Sequence, residues 1–382
     1  MLTEKLYYKN SHINSFSAKV ILCEKSGDKF NVILDKTAFF PESGGQPGDS
    51  GKIDNINISD TQIENDEIVH KADFPIEVGK TVECEIDWKV RFNRMQNHTG
   101  EHIMSGVIHN KYGFENVGFH MSKGFVTMDT GGVLSKEQVS EIEYLANEVV
   151  FKNVSVNAYF PTDSELEKIN FRCKSEIDGA VRIVEIDGCD MCACCAPHVN
   201  RTGEVGLIKV LNFHPYKGGT RFEIACGYDA LNDYIRLHEI NSSIMQILSA
   251  KRDEITEAVQ RQKDLENQYS WEIKKLKEQM AVANFEKTEF DNVICGFLSD
   301  CSYDEMRACL NNINTEKTVA IFSQNGEEFL YIISTVGDVK PVVADMNKAL
   351  NGRGGGRNNF AQGKISADKD DIINYFKLLD NI

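Results

Sequence analysis

The stretch RFNRMQNHTGEHIMSGVIHNKY, residues 91–112, is where the chain changes its period. Within it the spacing of Met95, His98, His102, Ile103 and Val107 is helical. The residues before it alternate. From about residue 17 to 90, short apolar runs such as SAKVILCEK, KFNVILDKTAFF and TVECEIDW are separated by Gly, Asn and Asp turns, which reads as a small β domain. The residues after it are mixed: SKEQVSEIEYLANEVVFKN is a second amphipathic helix, and GFVTMD, VSVNAYF, AVRIVEID, VGLIKVLNF and TRFEIAC are strand candidates. The expected fold class is α+β.

Further along, no Gly or Pro occurs between Gly227 and Gly296. Ile240, Ile244, Ile247, Ile255, Val259, Leu265, Ile273, Leu276 and Met280 recur there at helical steps, which predicts one long helix or a helical hairpin. The charged run QRQKDLENQYSWEIKKLKEQ reads as a solvated face beside a coiled-coil seam. After it, KTVAIFS, FLYIIST, VKPVVADMNKAL and KDDIINYFKLLD predict a small α/β domain.

A chain of 382 residues, 41% apolar and 26% charged, has material for several cored modules and is not disordered by composition. No apolar run approaches a membrane span, and MLTEKLYYKN lacks the pattern of an export signal, so a cytoplasmic protein is expected. In that setting the eleven cysteines read as reduced thiols and metal ligands. A net charge of −16 excludes a broad basic nucleic-acid-binding surface; any contact with RNA must come from local patches.

His98 and His102 stand one helical turn apart, so both imidazoles can reach one ion. Cys194 and His198 have the same four-residue step in a turn-rich segment after AVRIVEID. Together they offer one thiolate and three imidazoles, a tetrahedral set suited to zinc. Two alternatives stand beside this set. Cys189 and Cys192 form a C-x-x-C step that competes for the ion, and HTGEH also fits the H-x-x-E-H pattern of zinc peptidases, with Glu101 as general base and no use for Cys194 or His198.

Four ordered blocks resemble the editing half of alanyl-tRNA synthetases and the free-standing AlaX editing proteins: TAFFPESGGQPGDSGKI (37–53), NHTGEHIMSGVI (97–108), CCAPHV (194–199) and YKGGTRFEIACG (216–227). GRGGGRNNFAQGK (352–364) resembles the glycine-rich signature of the DHH-associated C-terminal domain, and the whole arrangement is that of the long AlaX type. One departure concerns the last zinc block. The family commonly has two small residues and a Thr between its Cys and His, where this chain has Cys195, Ala196 and Pro197, so a second thiolate sits beside Cys194.

The resemblance implies four modules: an N-terminal β-barrel-like domain (1–90), a zinc-binding editing domain (91–230), a helical linker or coiled coil (231–288) and a C-terminal tRNA-binding domain (289–382). It implies one zinc ion per chain and trans-hydrolysis of tRNA(Ala) mischarged with serine or glycine, without ATP and without aminoacylation. Such proofreading is needed because a pocket shaped for alanine cannot strongly reject glycine or serine. With four protein ligands, the ion is expected to position the substrate rather than to activate water directly. Thr37 and Gln46 are the candidate catalytic and selecting residues, Gly44, Gly45 and Gly48 serve the backbone around them, and Asp49 orients its neighbours. Arg353, Gly354, Gly355, Gly356, Arg357 and Lys364 are expected to hold the tRNA backbone from a loop, with Lys217 and Arg221 near the editing site. A homodimer through the helical linker or the C-terminal domain is a further expectation, and a tRNA- or synthetase-associated binding protein with little hydrolytic activity is the alternative.

Overall fold

The computed structural model describes residues 3–173 and 179–380, so the expected outer ends of the first and last modules, residues 1 and 382, lie outside the described residues. The fold is a mixture of helices and several sheets. By contact it divides into two compact units, Met1–Ser242 and Ser243–Ile382. Among the described residues no helix is long and apolar enough to cross a membrane.

The first unit begins with six antiparallel strands closed into a barrel, in the order Ser15–Ser26, Lys29–Leu34, Glu67–Ala72, Ile56–Glu64, Gly51–Ile53 and Thr81–Ile86. Alternation drives it. In Thr81–Ile86 every second residue is buried, and Val82, Cys84 and Ile86 point inward with Val20, Val32, Leu34, Ile53 and Ile58. Bulges at Val20/Leu22 and Ile58/Thr61 give the strands the bend that closure requires.

The chain leaves the barrel at Asp87, whose carboxylate accepts from the Val90 amide at 3.2 Å and caps helix α1, Trp88–Tyr112. Helix α1 ends at Gly113 with φ 70°, the left-handed turn that stops helices. Its middle is buried on all sides from Met95 to Ile108. Met95, Ile103, Met104, Val107 and Ile108 enter the main core, where they meet Ile142 and Val150 of helix α2 (Lys136–Lys152) and Phe222 and Ile224 of strand Gly219–Cys226. That strand sits in a four-stranded antiparallel sheet, ordered Ile208–Tyr216, Gly219–Cys226, Val126–Thr130, Asn116–Met121. A second sheet of three strands, Val156–Tyr159, Ile183–Ile186 and Asp190–Ala193, runs out directly into Cys194.

The segment free of Gly and Pro forms two helices, Tyr228–Leu248 and Ile255–Ala283. The interruption falls at Ser249, in the left-handed region at φ 50°, and at a short 3-10 turn, Arg252–Glu254. Ser and Asp there compete for backbone hydrogen bonds that a helix would use. On the second helix Tyr269, Ile273, Leu276 and Met280 are all exposed.

The second unit carries a six-stranded sheet ordered Glu286–Glu289, Val293–Ser299, Thr318–Asn325, Glu328–Ser334, Phe360–Ile365, Gly352–Arg357. Its one parallel pair, Val293–Ser299 with Thr318–Asn325, is bridged by helix Tyr303–Asn311. Apolar clusters cover both faces. The glycine run is not the loop expected of it: Gly352–Arg357 is an edge strand paired residue by residue with Phe360–Ile365. Close packing explains the glycines. A Cβ on Gly354 would lie 2.4 Å from the Tyr331 hydroxyl, and one on Gly356 would lie 2.0 Å from the Phe360 carbonyl oxygen.

Candidate metal centre

Helix α1 presents His98 and His102 from successive turns, and the segment after strand Asp190–Ala193 brings Cys194 and His198 to meet them. The four donor atoms all lie within 4.8 Å of one another. Cys194 Sγ is 3.5 Å from His98 Nε2 and 3.4 Å from His198 Nε2. Bond lengths of about 2.3 Å for Zn–S and about 2.05 Å for Zn–N at tetrahedral angles put sulfur and nitrogen roughly 3.5 Å apart. The donor set therefore has the spacing, as well as the chemistry, to hold a metal ion.

His98 and His198 turn Nε2 to Cys194, and all three imidazoles are held through Nδ1. His98 Nδ1 lies 2.8 Å from Gln46 Oε1, His102 Nδ1 lies 3.0 Å from Asp190 Oδ2, and His198 Nδ1 lies 3.0 Å from Thr99 Oγ1. Such outer hydrogen bonds fix ring orientation and raise ligand basicity. Asp190 is anchored in turn by both arms of Arg172, at 2.8 and 2.9 Å. The electrostatics favour a thiolate. Burial alone would raise the Cys194 thiol, but the neighbouring His98 and the hydrogen bonds of His102 and His198 outweigh it and hold the group well below its ordinary range. Burial also drives His198 down to about 3, while His102 is carried well above its usual value because Asp190 and Cys194 overcome the cost of its burial.

Of the competing cysteines, Cys189 and Cys195 stand outside the four-donor group, whereas Cys192 adjoins it through His102. Cys189 is buried against helix α1, its Sγ 3.7 Å from the Ile103 carbonyl, and burial pushes its thiol up to about 12. Cys195 is exposed. Cys192 is buried and forms, with His102 and Asp190, a second group of close donors. Glu101, the general base of the peptidase reading, accepts hydrogen bonds from Ser105 and Asn116.

Gln46 reaches the cluster from a tight turn in which Gly44 and Gly45 take φ of 60° and 81°, values open to glycine at no steric cost. Thr37 ends strand Lys36–Thr37 and is fully buried; the structure joins it not to the metal cluster but to His70 of the barrel. His70 Nδ1 lies 2.9 Å from the Val32 carbonyl, which can only accept, so this nitrogen carries the proton. Burial lowers His70 to about 4 and keeps the ring neutral at pH 7, so Nε2 accepts, and the Thr37 hydroxyl 2.9 Å away must be the donor. The Phe39 amide donates to the same oxygen at 3.1 Å. Asp49 lies beneath this block, fully buried and paired with Arg91 of helix α1.

Lys217 sits at a hairpin tip with φ 47°, and Arg221 stacks 3.6 Å over Tyr216 while gripping Asp129 at 2.6 and 2.7 Å. In the second unit Arg353, Gly354, Gly355, Gly356 and Arg357 line the edge strand, with Lys364 opposite Arg353; Arg353 and Lys364 lie 3.6 and 3.5 Å from Glu328. Sequence reasoning missed Thr99, Asp190, Arg172 and His70. Thr99 and Asp190 lay in plain view, one beside His98 and one within the cysteine-rich run, and a polar residue at those places is the available signal.

Two family models match: tRNA synthetases class II (A) over residues 3–90, and the threonyl and alanyl tRNA synthetase second additional domain over residues 181–237. The alanyl-tRNA editing protein AlaX-L of Pyrococcus horikoshii is 28% identical, over 97% of this chain and 97% of that protein. Alanine–tRNA ligases of Methanococcus maripaludis and Pyrococcus furiosus are each 30% identical, over 97% and 95% of this chain. The chain spans only 43% and 42% of those ligases. Taken together with the barrel and the His/Cys cluster, these matches show a chain that resembles, along nearly its whole length, an AlaX-type alanyl-tRNA editing protein of the long form.

Proposed function

We propose that this protein is a zinc-dependent aminoacyl-tRNA deacylase acting in trans, which hydrolyses Ser-tRNA(Ala) and Gly-tRNA(Ala) to free amino acid and tRNA. The observation that carries the reading is the donor set: one thiolate and three imidazoles within 4.8 Å of one another, the thiolate 3.4–3.5 Å from two of them, and each imidazole backed through Nδ1. In this reading His98, His102, Cys194 and His198 hold one zinc ion. When bound, the ion supplies positive charge that attracts and orients the aminoacylated end of the tRNA.

The chain's own residues supply selection. Because the Thr37 proton is spent on His70, Thr37 can only accept a hydrogen bond from an incoming group. A serine hydroxyl brings that donor and an alanine methyl does not, so the pocket favours serine over alanine. Ester hydrolysis consumes water alone and needs no ATP. The barrel segment 1–90 and the domain 91–230 form the editing core in this division, 231–288 the helical linker, and 289–382 the tRNA-binding module. There Arg353, Gly354, Gly355, Gly356, Arg357 and Lys364 contact the tRNA backbone, and the edge strand leaves one row of backbone groups unpaired by the sheet.

The test is the rate of amino-acid release from Ser-tRNA(Ala), with Ala-tRNA(Ala) as control, by the wild-type protein and its Cys194→Ala/His198→Ala variant. Rapid loss of serine alone, abolished in the variant, is expected. Tight tRNA binding by a folded, zinc-loaded protein that releases no amino acid would instead establish a binding protein.

A further inference from the structure

We propose that the side-chain amide of Gln46 donates a hydrogen bond to the ester carbonyl oxygen of the aminoacyl-tRNA and stabilises the oxyanion formed as water adds. This inference rests on the deacylase reading above and names a catalytic group within it.

His98 decides which end of Gln46 faces which partner. It gives Nε2 to the cluster, so its Nδ1 carries the proton and must donate. Only an oxygen can receive it. Gln46 Oε1 is therefore the atom 2.8 Å from His98 Nδ1, and the amide nitrogen is forced to the other side. That nitrogen is buried and has no hydrogen-bond partner. Its backbone cannot easily turn it elsewhere: Ser43 and Gln46 exchange two backbone hydrogen bonds, at 3.1 and 3.0 Å, and the Gly45 carbonyl accepts from Met121 at 3.1 Å. Buried amide groups without partners are rare in folded proteins because their desolvation is costly. A fixed, unpartnered donor beside a metal cluster is a place prepared for an acceptor.

The chemistry of the substrate says which acceptor. The α-ammonium group of an aminoacyl ester has only donors and is excluded. A serine hydroxyl could accept, but a glycyl ester has none. The carbonyl oxygen is common to every aminoacyl ester and gains negative charge during the reaction. In hydrolysis the water oxygen bonds to the carbonyl carbon, and the ester C–O bond then breaks with its electron pair on the ribose oxygen. That oxygen takes one proton from water, and the amino-acid carboxylate and a second proton are released. An ion held by all four of these residues would have no tetrahedral position left for the oxyanion, so a donor outside the set would be needed for it.

Gln46→Glu separates the two jobs of the residue. A carboxylate still accepts from His98 Nδ1 but has no N–H to offer. The expected result is unchanged zinc stoichiometry, an unchanged visible spectrum of the cobalt-substituted protein, unchanged KM, and a fall in kcat of about 10²–10³-fold for the seryl and glycyl esters alike. Gln46→Ala, which also removes support from His98, is expected to weaken zinc binding by about 10–100-fold as well. Wild-type kcat in Gln46→Glu would overturn the inference, as would zinc loss in that variant in step with activity. A fall confined to the seryl ester would reassign the amide to the serine hydroxyl and overturn it too. Wild-type protein that releases neither amino acid would overturn the deacylase reading first and this inference with it.

Discussion

Thr37 is a hydroxyl whose role is set by a histidine deep in the barrel. Because His70 takes its proton, Thr37 has only an acceptor to offer, and in the proposed editing reading the serine-selecting interaction runs one way, from substrate to Thr37. Thr37→Val keeps the shape and removes the acceptor. Hydrolysis of Ser-tRNA(Ala) is expected to fall by about fivefold, the worth of one hydrogen bond of about 1 kcal/mol, with Gly-tRNA(Ala) unaffected in the same assay. His70 also leaves a mark on stability. Its value falls from an ordinary 6.5 to about 4 on folding because it is fully buried. Between those pH values the unfolded chain binds a proton that the folded chain refuses, so stability is full above about 6.5 and is lost as pH falls towards 4. The loss amounts to about 3 kcal/mol. Melting temperatures recorded from pH 7 to pH 4.5 should drop less steeply in His70→Gln than in the wild type.

Among the elements, helix α1 does two things at once. Its first turns are bolted to the barrel by Arg91, fully buried, which reaches Asp49, the Ser11 carbonyl and the Ala38 carbonyl. Its next turns carry His98 and His102. Arg91→Ala leaves the buried Asp49 carboxylate with only the more distant Arg94, 3.6 Å away, and is expected to cost about 3 kcal/mol in chemical denaturation, with zinc affinity falling in parallel. The two histidines were legible in the sequence because a helix repeats locally, and four residues is one turn. The step from Cys194 to His198 was legible only as a matching spacing of metal-ligand residue types, since it lies outside any helix. Asp190 and Thr99 were not assigned roles, since what they support comes from distant parts of the chain: Asp190 bonds His102 across 88 positions and Thr99 bonds His198 across 99. The glycine run misled for a different reason. Gly354 and Gly356 look like loop residues in one dimension, yet they answer to Tyr331 and Phe360, which lie beside them only once the sheet has formed.

At the scale of the whole molecule, a net charge of −16 means that the proposed tRNA substrate would be met at local basic groups. Arg353→Ala and Arg357→Ala are expected to weaken tRNA binding uniformly across sequences and to lower the salt slope of log Kd by about one for each phosphate contact removed. Binding titrations from about 50 to about 300 mM salt would show it. Zinc content should not change in either variant. The spacing of the four metal donors along the chain adds a matter of timing. His98 and Cys194 stand 96 positions apart. A ribosome adding about 5–20 residues per second delivers the two helix histidines roughly 5–20 s before the thiolate. In that interval the newborn chain offers two imidazoles to any soft divalent ion, copper above others by intrinsic affinity. In the proposed zinc reading the ion that stays is decided late, when Cys194 and His198 emerge and complete the four-donor set that suits zinc.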